Sequence, residues 1–125
     1  MQFGLSTHFF FNSRLTVAHL EQMRRAGFEV IEIFCSCQHF DHHDGVQVET
    51  IFSWLSQAGV VLNSLHAPFY VMTESRARAH FSLASIDEEE RRRAVAETAG
   101  AIKLSGKVPF RYIIVHLGAT GREHK

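Results

Sequence analysis

The feature that most constrains this fold is a unit that occurs three times: an amphipathic stretch, a glycine, and an apolar strand rich in β-branched residues. The glycines of these units are Gly27, Gly59 and Gly106. A glycine just past a helical pattern is typical of the left-handed residue that ends a helix. Strands that alternate with helices in this way predict a parallel sheet with right-handed crossovers.

The helical spacing of apolar residues places the three helices. The first has Thr16 as its predicted N-cap, the second has Asp44, and the third opens with a capping box at Ser85–Glu88. A further strand over about Phe3–His8 precedes them, and residues 69–84 are predicted to be a loop. The apolar stripes of the helices are Val17, Leu20, Met23 and Ala26; Val48, Ile51, Phe52, Leu55 and Ala58; and Val95, Thr98 and Ile102.

Composition and charge exclude several classes of function. The 125 residues suffice for one domain, residues 1–125, and a formal net charge of zero does not fit a nucleic-acid-binding surface. No apolar run approaches the ~20 residues of a membrane-spanning helix, and Met1–Leu5 predicts a strand rather than a secretory leader. We therefore expect a cytoplasmic protein with no membrane partner, in which Cys35 and Cys37 are reduced thiols.

Two of the predicted strands end in a histidine that is followed by a chain-breaking residue. His66 closes the run that begins at Val60, and His116 closes the run that begins at Tyr112. The carboxyl ends of parallel strands meet at one edge of a sheet, where α/β proteins place their chemistry. His8, at the end of the first predicted strand, is expected at the same edge. These strand ends predict a ligand site.

Four such strands fit either a small doubly wound sheet or half of a (β/α)8 barrel, which normally needs about 250 residues. The turn after the first strand, Thr7–Asn12, lacks the glycine fingerprint of a dinucleotide-binding fold. Its absence from the sequence favours the barrel.

Several segments match a known superfamily in order and spacing. They are Ala26–Phe34, His66–Pro68, Ala84–Asp87 with Arg91–Ile102, and Val115–Gly118. With them, essentially the whole chain resembles the xylose isomerase-like barrel superfamily, which includes sugar phosphate isomerases and epimerases and endonuclease IV-type apurinic endonucleases. The resemblance implies an α/β fold made of the first four βα units of a (β/α)8 TIM barrel.

The resemblance also implies a divalent metal (Mn, Mg, Co or Zn) in the full-length enzyme. In that family the Glu, Asp, His and Glu ligands lie on later strands, so we expect the catalytic carboxylates outside this chain and no tightly bound metal within it. In the endonuclease branch, histidines at the ends of the third and fourth strands bind zinc. His66 and His116 occupy these places, which makes them candidate ligands of a partial metal site.

The candidate substrate-binding residues are Glu32, His66 and His8. Glu32 lies in an otherwise apolar strand, where a carboxylate is costly unless it is paired or ligated. The family's frequent Glu in this strand favours a place beside the substrate, and a buried ion pair with a neighbouring strand is the alternative. For His66 the alternative is a core histidine satisfied by a backbone carbonyl. His8, followed by Phe9–Phe11, either lines the mouth as part of an apolar wall or packs in the core.

Two polar segments each allow two interpretations. His39–Asp44 is interpreted as a surface loop that caps the second helix, with a substrate-gating loop or an accessory metal site as the alternative. The predicted loop 69–84 allows either phosphate binding or a plain crossover, and its polar residues are Glu74, Arg76, Arg78 and His80.

The sequence therefore predicts the N-terminal part of a sugar phosphate isomerase or epimerase, with metal-assisted proton transfer next to a sugar carbonyl. The expected partner is a small-molecule sugar or sugar phosphate, and the isolated chain is expected to be inactive. The alternatives are a zinc-dependent apurinic endonuclease-like phosphodiesterase, a dehydratase of cyclic polyols, and a non-catalytic module that closes its barrel by self-association into a homo-oligomer.

Overall fold

Strands and helices alternate along the chain, except that two additional short strands lie before the third α-helix. The computed structural model describes residues 2–72 and 78–118. Two short 3-10 helices, Thr7–Phe10 and Leu104–Gly106, accompany the longer elements. The strands are β1 (Gly4–Ser6), β2 (Val30–Phe34), β3 (Val61–His66), β4 (Tyr70–Met72), β5 (Arg78–His80) and β6 (Tyr112–Ile114), and the α-helices are α1 (Val17–Arg25), α2 (Gly45–Ala58) and α3 (Glu88–Lys103).

Four of the strands form one parallel sheet in the order β1-β2-β3-β6. Ser6 lies opposite Glu32, Glu32 lies opposite Ser64, and His66 lies opposite Ile114. Because all four strands run in the same direction, their carboxyl ends share one edge of the sheet. The predicted α/β class is confirmed, and the arrangement is that of a partial barrel.

The hydrophobic core lies between one face of this sheet and the helices. Ile31 and Ile33 of β2 and Leu65 of β3 are each 1% exposed. α1 buries Leu20 and Met23 of its predicted stripe against them, whereas Val17 is half-buried and Ala26 is exposed. The buried residues of the α2 stripe are Val48, Ile51, Leu55 and Ala58. Phe52 was predicted to join that stripe, but it is 62% exposed because it lies next to the core-facing row and not on it.

The pairing of β2 with β3 contains one irregularity. Ile31 lies opposite Leu62, but the next residue, Glu32, lies opposite Ser64, so β3 carries one extra residue at this point. Leu62 therefore joins the helix-facing core, while Ser64 lies beside Glu32 on the other face. Strict alternation predicts that Leu62 shares a face with His66, and the irregularity makes that prediction wrong.

The ends of α2 follow the predicted chemistry. The Asp44 carboxylate accepts hydrogen bonds from the backbone N–H groups of Val46 and Gln47, which confirms it as the N-cap. Gly59 ends the helix with a φ of +67°, a left-handed conformation that side-chain-bearing residues adopt at a cost. Gly106 differs: it lies in a 3-10 helix, and its φ is not positive.

The third helix departs from its predicted pattern. It begins at Glu88, and its N-cap is Asp87, whose side chain accepts a hydrogen bond from the backbone N–H of Glu90. Val95 and Ile102 of the predicted stripe are 52% and 46% exposed. The buried positions are instead small residues two turns apart, Ala94 and Ala101, which allow α3 to approach closely.

The predicted loop 69–84 contains regular structure. β4 pairs with β5 as a two-stranded antiparallel sheet, with Tyr70 opposite His80. Glu74 and Arg76, which were considered for phosphate binding, lie outside the described residues. Across the two described ranges, no helix is both long enough and apolar enough to cross a bilayer.

Candidate functional site

Two histidines meet at the carboxyl edge of the parallel sheet. His66 is the last residue of β3, and His116 follows the end of β6 by two residues. Their Nε2 atoms are 3.1 Å apart, and their rings are tilted by 37° with centroids 5.0 Å apart. The structure thus brings together the two residues that the sequence predicts as ligands of a partial metal site.

The hydrogen bonds of His66 define its protonation. Its Nδ1 lies 2.9 Å from the backbone carbonyl of Ala67, and a carbonyl can only accept, so Nδ1 carries the hydrogen. Burial is the largest influence on its pKa and lowers it, while the Ala67 carbonyl and Glu32 act in the opposite direction. The ring is therefore neutral at pH 7, and its Nε2 presents a lone pair to His116 or to a bound ion.

Glu32 lies two residues before the carboxyl end of β2, and its carboxylate lies between the side chains of two serines. The hydroxyl of Ser6 donates to its Oε1 over 2.9 Å, and the hydroxyl of Ser64 donates to its Oε2 over 3.1 Å. These contacts follow from the strand register, since Glu32 pairs with both serines. Among the side chains that the structure describes, which leave out residues 71–79, the partners of the Glu32 carboxylate are these two hydroxyls, with no ion pair.

The two serines are the partners that sequence reasoning did not assign. Ser6 is the last residue of β1 and Ser64 lies two residues before the end of β3, and the strand register places both opposite Glu32 of β2. Each carboxylate oxygen accepts one hydroxyl and retains a further lone pair. Glu32 can therefore accept additional hydroxyl donors on the same face of the sheet.

Aromatic rings surround the histidine pair. Phe69 stacks on His116 with ring centroids 4.5 Å apart and also contacts His66 at 5.4 Å. Phe34, the last residue of β2, is fully buried and meets the His66 ring at 5.2 Å. The site therefore has one apolar wall next to its nitrogen and carboxylate groups, an arrangement that suits ligands with both hydroxyl and C–H surfaces.

His8 is not at the end of a strand, because β1 ends at Ser6 and the chain turns into a 3-10 helix over Thr7–Phe10. This corrects the predicted strand Phe3–His8. The cause is local: the Ser6 hydroxyl accepts a hydrogen bond from the backbone N–H of His8 and caps the 3-10 helix. His8 is exposed, and its ring lies 4.4 Å from that of Phe34, at the border of the site.

The three phenylalanines after His8 diverge and do not form a single wall. Phe9 is 76% exposed. Phe10 packs on the ring of His19 and against the core, and Phe11 packs on His8 with ring centroids 5.1 Å apart. Only Phe11 extends the surface of His8.

The segment His39–Asp44 is less exposed than a surface loop. His39 is completely buried, and its Nδ1 lies 2.7 Å from the Ser13 carbonyl. The side chain of His42 is 4% exposed, and its ring lies against that of His43, with centroids 4.0 Å apart. The helix-capping part of the interpretation is confirmed at Asp44, but the surface-loop part is wrong for His39 and His42, because both pack beneath the loop.

Both cysteines are free thiols, as expected from their spacing. Cys35 is buried, and burial raises its pKa, with a smaller contribution from Asp41. The Cys35 thiol is therefore protonated and unreactive at neutral pH. Cys37 is exposed.

Comparison with known proteins identifies the fold. No protein-family model and no curated protein sequence matches this chain. Among solved structures, the chain is similar to D-psicose 3-epimerase crystallised in the presence of D-fructose, with a TM-score of 0.60 and 17% sequence identity. The match covers 90% of this chain and 36% of the epimerase. That neighbour is a TIM barrel, and at this level of identity the likeness supports the fold alone, that of a partial barrel.

Proposed function

We propose that this chain supplies the first four βα units of a sugar isomerase or epimerase barrel, with the histidine edge of its sheet facing a sugar or sugar phosphate. The observation that carries the proposal is the meeting of His66 and His116 at the carboxyl edge, beside Glu32. The likeness to D-psicose 3-epimerase supports this class of reaction, and the chain spans only 36% of that protein's length. The activity is therefore a property of a longer barrel.

The proposed roles follow from the chemistry of each group. Glu32 is held by two serine hydroxyls and accepts hydrogen bonds from sugar hydroxyls. His116 is exposed at the edge and binds a substrate oxygen through its ring nitrogen. Phe69 forms the apolar wall against the C–H face of the sugar, and the fully buried Phe34 packs against the His66 ring. His8 contributes from the rim, where it packs on Phe34.

A divalent metal fits this edge in part. The 3.1 Å separation of the two Nε2 atoms is close to the ~3.3 Å between neighbouring ligands in a tetrahedral zinc site with bonds of about 2.05 Å. A catalytic zinc site uses three protein ligands, so the pair is two thirds of such a set. When bound, a metal would polarise the substrate's carbonyl and hydroxyl oxygens. His66 and His116 would hold it, and carboxylates of other strands would move the proton.

A sugar titration followed by NMR tests the proposal on this chain. D-fructose, and separately a hexose phosphate, are added while the ring signals of His66 and His116 are recorded. We expect shifts at both rings, and a weakening of about tenfold in Glu32→Gln, because a hydrogen bond to a charged group contributes about 1.5–3 kcal/mol. The control is Glu49→Gln, which removes a 73% exposed carboxylate elsewhere. Sugar that shifts neither ring would refute the assignment.

The nitrogen-rich pair also favours a second candidate, a zinc-dependent phosphodiesterase of the apurinic endonuclease type. Imidazole nitrogens suit zinc better than they suit magnesium or manganese, which prefer oxygen ligands. The formal net charge of zero opposes a DNA-binding surface. A duplex with one abasic site, titrated in the same NMR experiment, separates the two: shifts of the His66 and His116 signals with this duplex but not with sugar would favour the phosphodiesterase.

A further inference from the structure

A second cluster of metal-ligating side chains lies outside the histidine edge, where the segment between β2 and α2 meets the middle of α3. The Nε2 atoms of His42 and His43 lie 3.3 Å and 3.0 Å from the same oxygen, Oε2 of Glu97. These three atoms all lie within 4.8 Å of one another. We propose that His42, His43 and Glu97 bind a Zn²⁺ ion that fastens this loop to α3.

The spacing of the three atoms matches a first coordination shell. With zinc–ligand bonds of about 2.05 Å, neighbouring ligands of a tetrahedral site lie ~3.3 Å apart. Both nitrogen–oxygen distances are close to that value. Two histidines and one carboxylate also form a ligand set that proteins use for zinc with one open position.

His42 provides the second observation. Its side chain is 4% exposed, and its Nε2 is buried without a hydrogen-bond partner, since the 3.3 Å approach to Glu97 lacks hydrogen-bond geometry. Buried polar side-chain atoms are almost always satisfied, and an exception often marks an ion or water that belongs there. A zinc ion between His42 and Glu97 would satisfy this nitrogen.

Space for the His42 ring is provided by Gly100, one turn after Glu97 on the same face of α3. A Cβ at this position would lie 3.0 Å from Nε2 of His42 and 3.1 Å from its Cδ2. Glycine inside a helix is disfavoured relative to alanine. Its presence at position 100 therefore makes room for the buried imidazole that points at the cluster.

The loop that carries His42 and His43 is held by hydrogen bonds on both sides of these two residues. Gln47, which is buried, accepts a hydrogen bond from the backbone N–H of Asp41 through its Oε1. The Asp41 carboxylate accepts one from the backbone N–H of His43. Asp44 caps α2 directly afterwards. Adjacent histidines seldom converge on one ion without such a frame, and here the frame is present.

The open side of the site is also defined. His43 is 61% exposed and Glu97 is 26% exposed, whereas His42 is buried. An ion can therefore enter from solvent past His43, and water can occupy the fourth position. Because the ligands come from the segment between β2 and α2 and from α3, a bound ion would join these two parts of the chain, and we assign it a structural role.

Zinc titration of the untagged chain tests the proposal, with isothermal calorimetry for Zn²⁺ and visible absorption for Co²⁺. We expect one ion per chain at micromolar concentration, a tetrahedral Co²⁺ spectrum, and a higher melting temperature with Zn²⁺. Replacing a partner that only orients a ligand weakens metal binding about 10–100-fold. Glu97→Gln removes a ligand itself, so we expect a loss of at least about 100-fold.

Matched variants separate this site from others. Glu88→Gln removes the same charge from the exposed start of α3 and should bind zinc like the wild type. Gly100→Ala crowds the buried His42 ring, so it should weaken zinc binding. His43→Ala, at an exposed position, tests the cluster if Glu97→Gln does not fold.

Two results would overturn the proposal. The first is the absence of saturable zinc binding at micromolar concentration, which would identify the cluster as a histidine–carboxylate ion pair. The second is zinc binding that survives Glu97→Gln and His43→Ala but disappears in the His66→Ala, His116→Ala double variant. That pattern would place the ion at the sheet edge instead.

Discussion

Acid should destabilise this chain through His39, and the effect can be isolated with one substitution. His39 is 0% exposed, its Nδ1–H donates to the Ser13 carbonyl over 2.7 Å, and its Nε2 is buried without a hydrogen-bond partner among the described residues. Protonation would place a positive N–H where nothing accepts it. Burial accordingly lowers the pKa of His39, more than the backbone carbonyl of Ser13 raises it.

Proton linkage gives the sign and the size of the change in the free energy of unfolding with pH. The unfolded chain has an ordinary histidine pKa of about 6.5, so below that pH the unfolded state binds more protons than the folded state, and stability falls as pH falls. If His39 stays neutral in the folded chain, its contribution between about pH 7.5 and pH 5.5 is a loss of about 1.4 kcal/mol. The pKa values of His42 and His66 are also lowered by burial, so they add losses of the same sign.

His39→Asn separates the His39 contribution from the others. The asparagine amide nitrogen can replace Nδ1 as the donor to Ser13, but it does not titrate. The smaller side chain lowers stability at every pH, because it leaves a cavity. Between about pH 7.5 and pH 5.5, the free energy of unfolding should nevertheless fall less in His39→Asn than in the wild type, by up to about 1.4 kcal/mol.

Urea unfolding at several pH values measures this difference. The fluorescence of Trp54, which packs against the core, reports the transition. With a denaturant slope of about 2 kcal/mol per molar, the difference corresponds to a midpoint change of about 0.7 M. The chain concentration is held constant, because self-association would shift the apparent stability. Parallel pH profiles for wild type and His39→Asn would refute the argument that His39 remains neutral.

Three further outcomes can be measured on the same chain. Ser64→Ala removes one of the two hydroxyls on Glu32 and should lower the free energy of unfolding by about 1.5–3 kcal/mol in urea titrations, because it leaves a partly buried carboxylate oxygen without its donor. Gly59→Ala, at a φ of +67°, should destabilise by about 1 kcal/mol, whereas Gly45→Ala, in open space at the start of the same helix, should stabilise by about 0.5 kcal/mol; two changes of the same sign would contradict this account. Among the described residues β1 and β6 each pair with one strand only, and these edges should cause association in sedimentation experiments; a stable monomer with a cooperative melt would contradict this expectation.

The fold was largely predictable because its signals are local. Asp44 and Gly59 bound α2 through side-chain and backbone chemistry that is visible in the sequence. The run Val30–Phe34 formed a strand for the same reason, since β-branched and aromatic residues suit a buried parallel strand. The prediction failed where packing overrode pattern, as in α3, where small residues rather than Val95 and Ile102 face inward.

The site was predictable in position but not in its contacts. Strand ends indicated where His66 and His116 would lie, because parallel strands place their carboxyl ends together. Neither pattern nor spacing showed that Ser6 and Ser64 would hold Glu32, because strand register depends on pairing between distant segments. The first strand was predicted too long for a comparable reason: the hydroxyl cap that turns the chain at Ser6 depends on a single side-chain contact.

The sequence by itself determined the order of the four parallel strands and the three helices, the edge of the sheet that carries the histidines, and the caps of α2, since each depends on residues close together in the chain. Only the tertiary structure decided which polar groups meet. It placed His66 against His116, which lie 50 positions apart, and joined His43 to Glu97 across 54 positions. The physical reason is that two distant side chains meet only when the strands or helices that carry them lie at the right distance. That distance is set by how the elements pack and by the strand register.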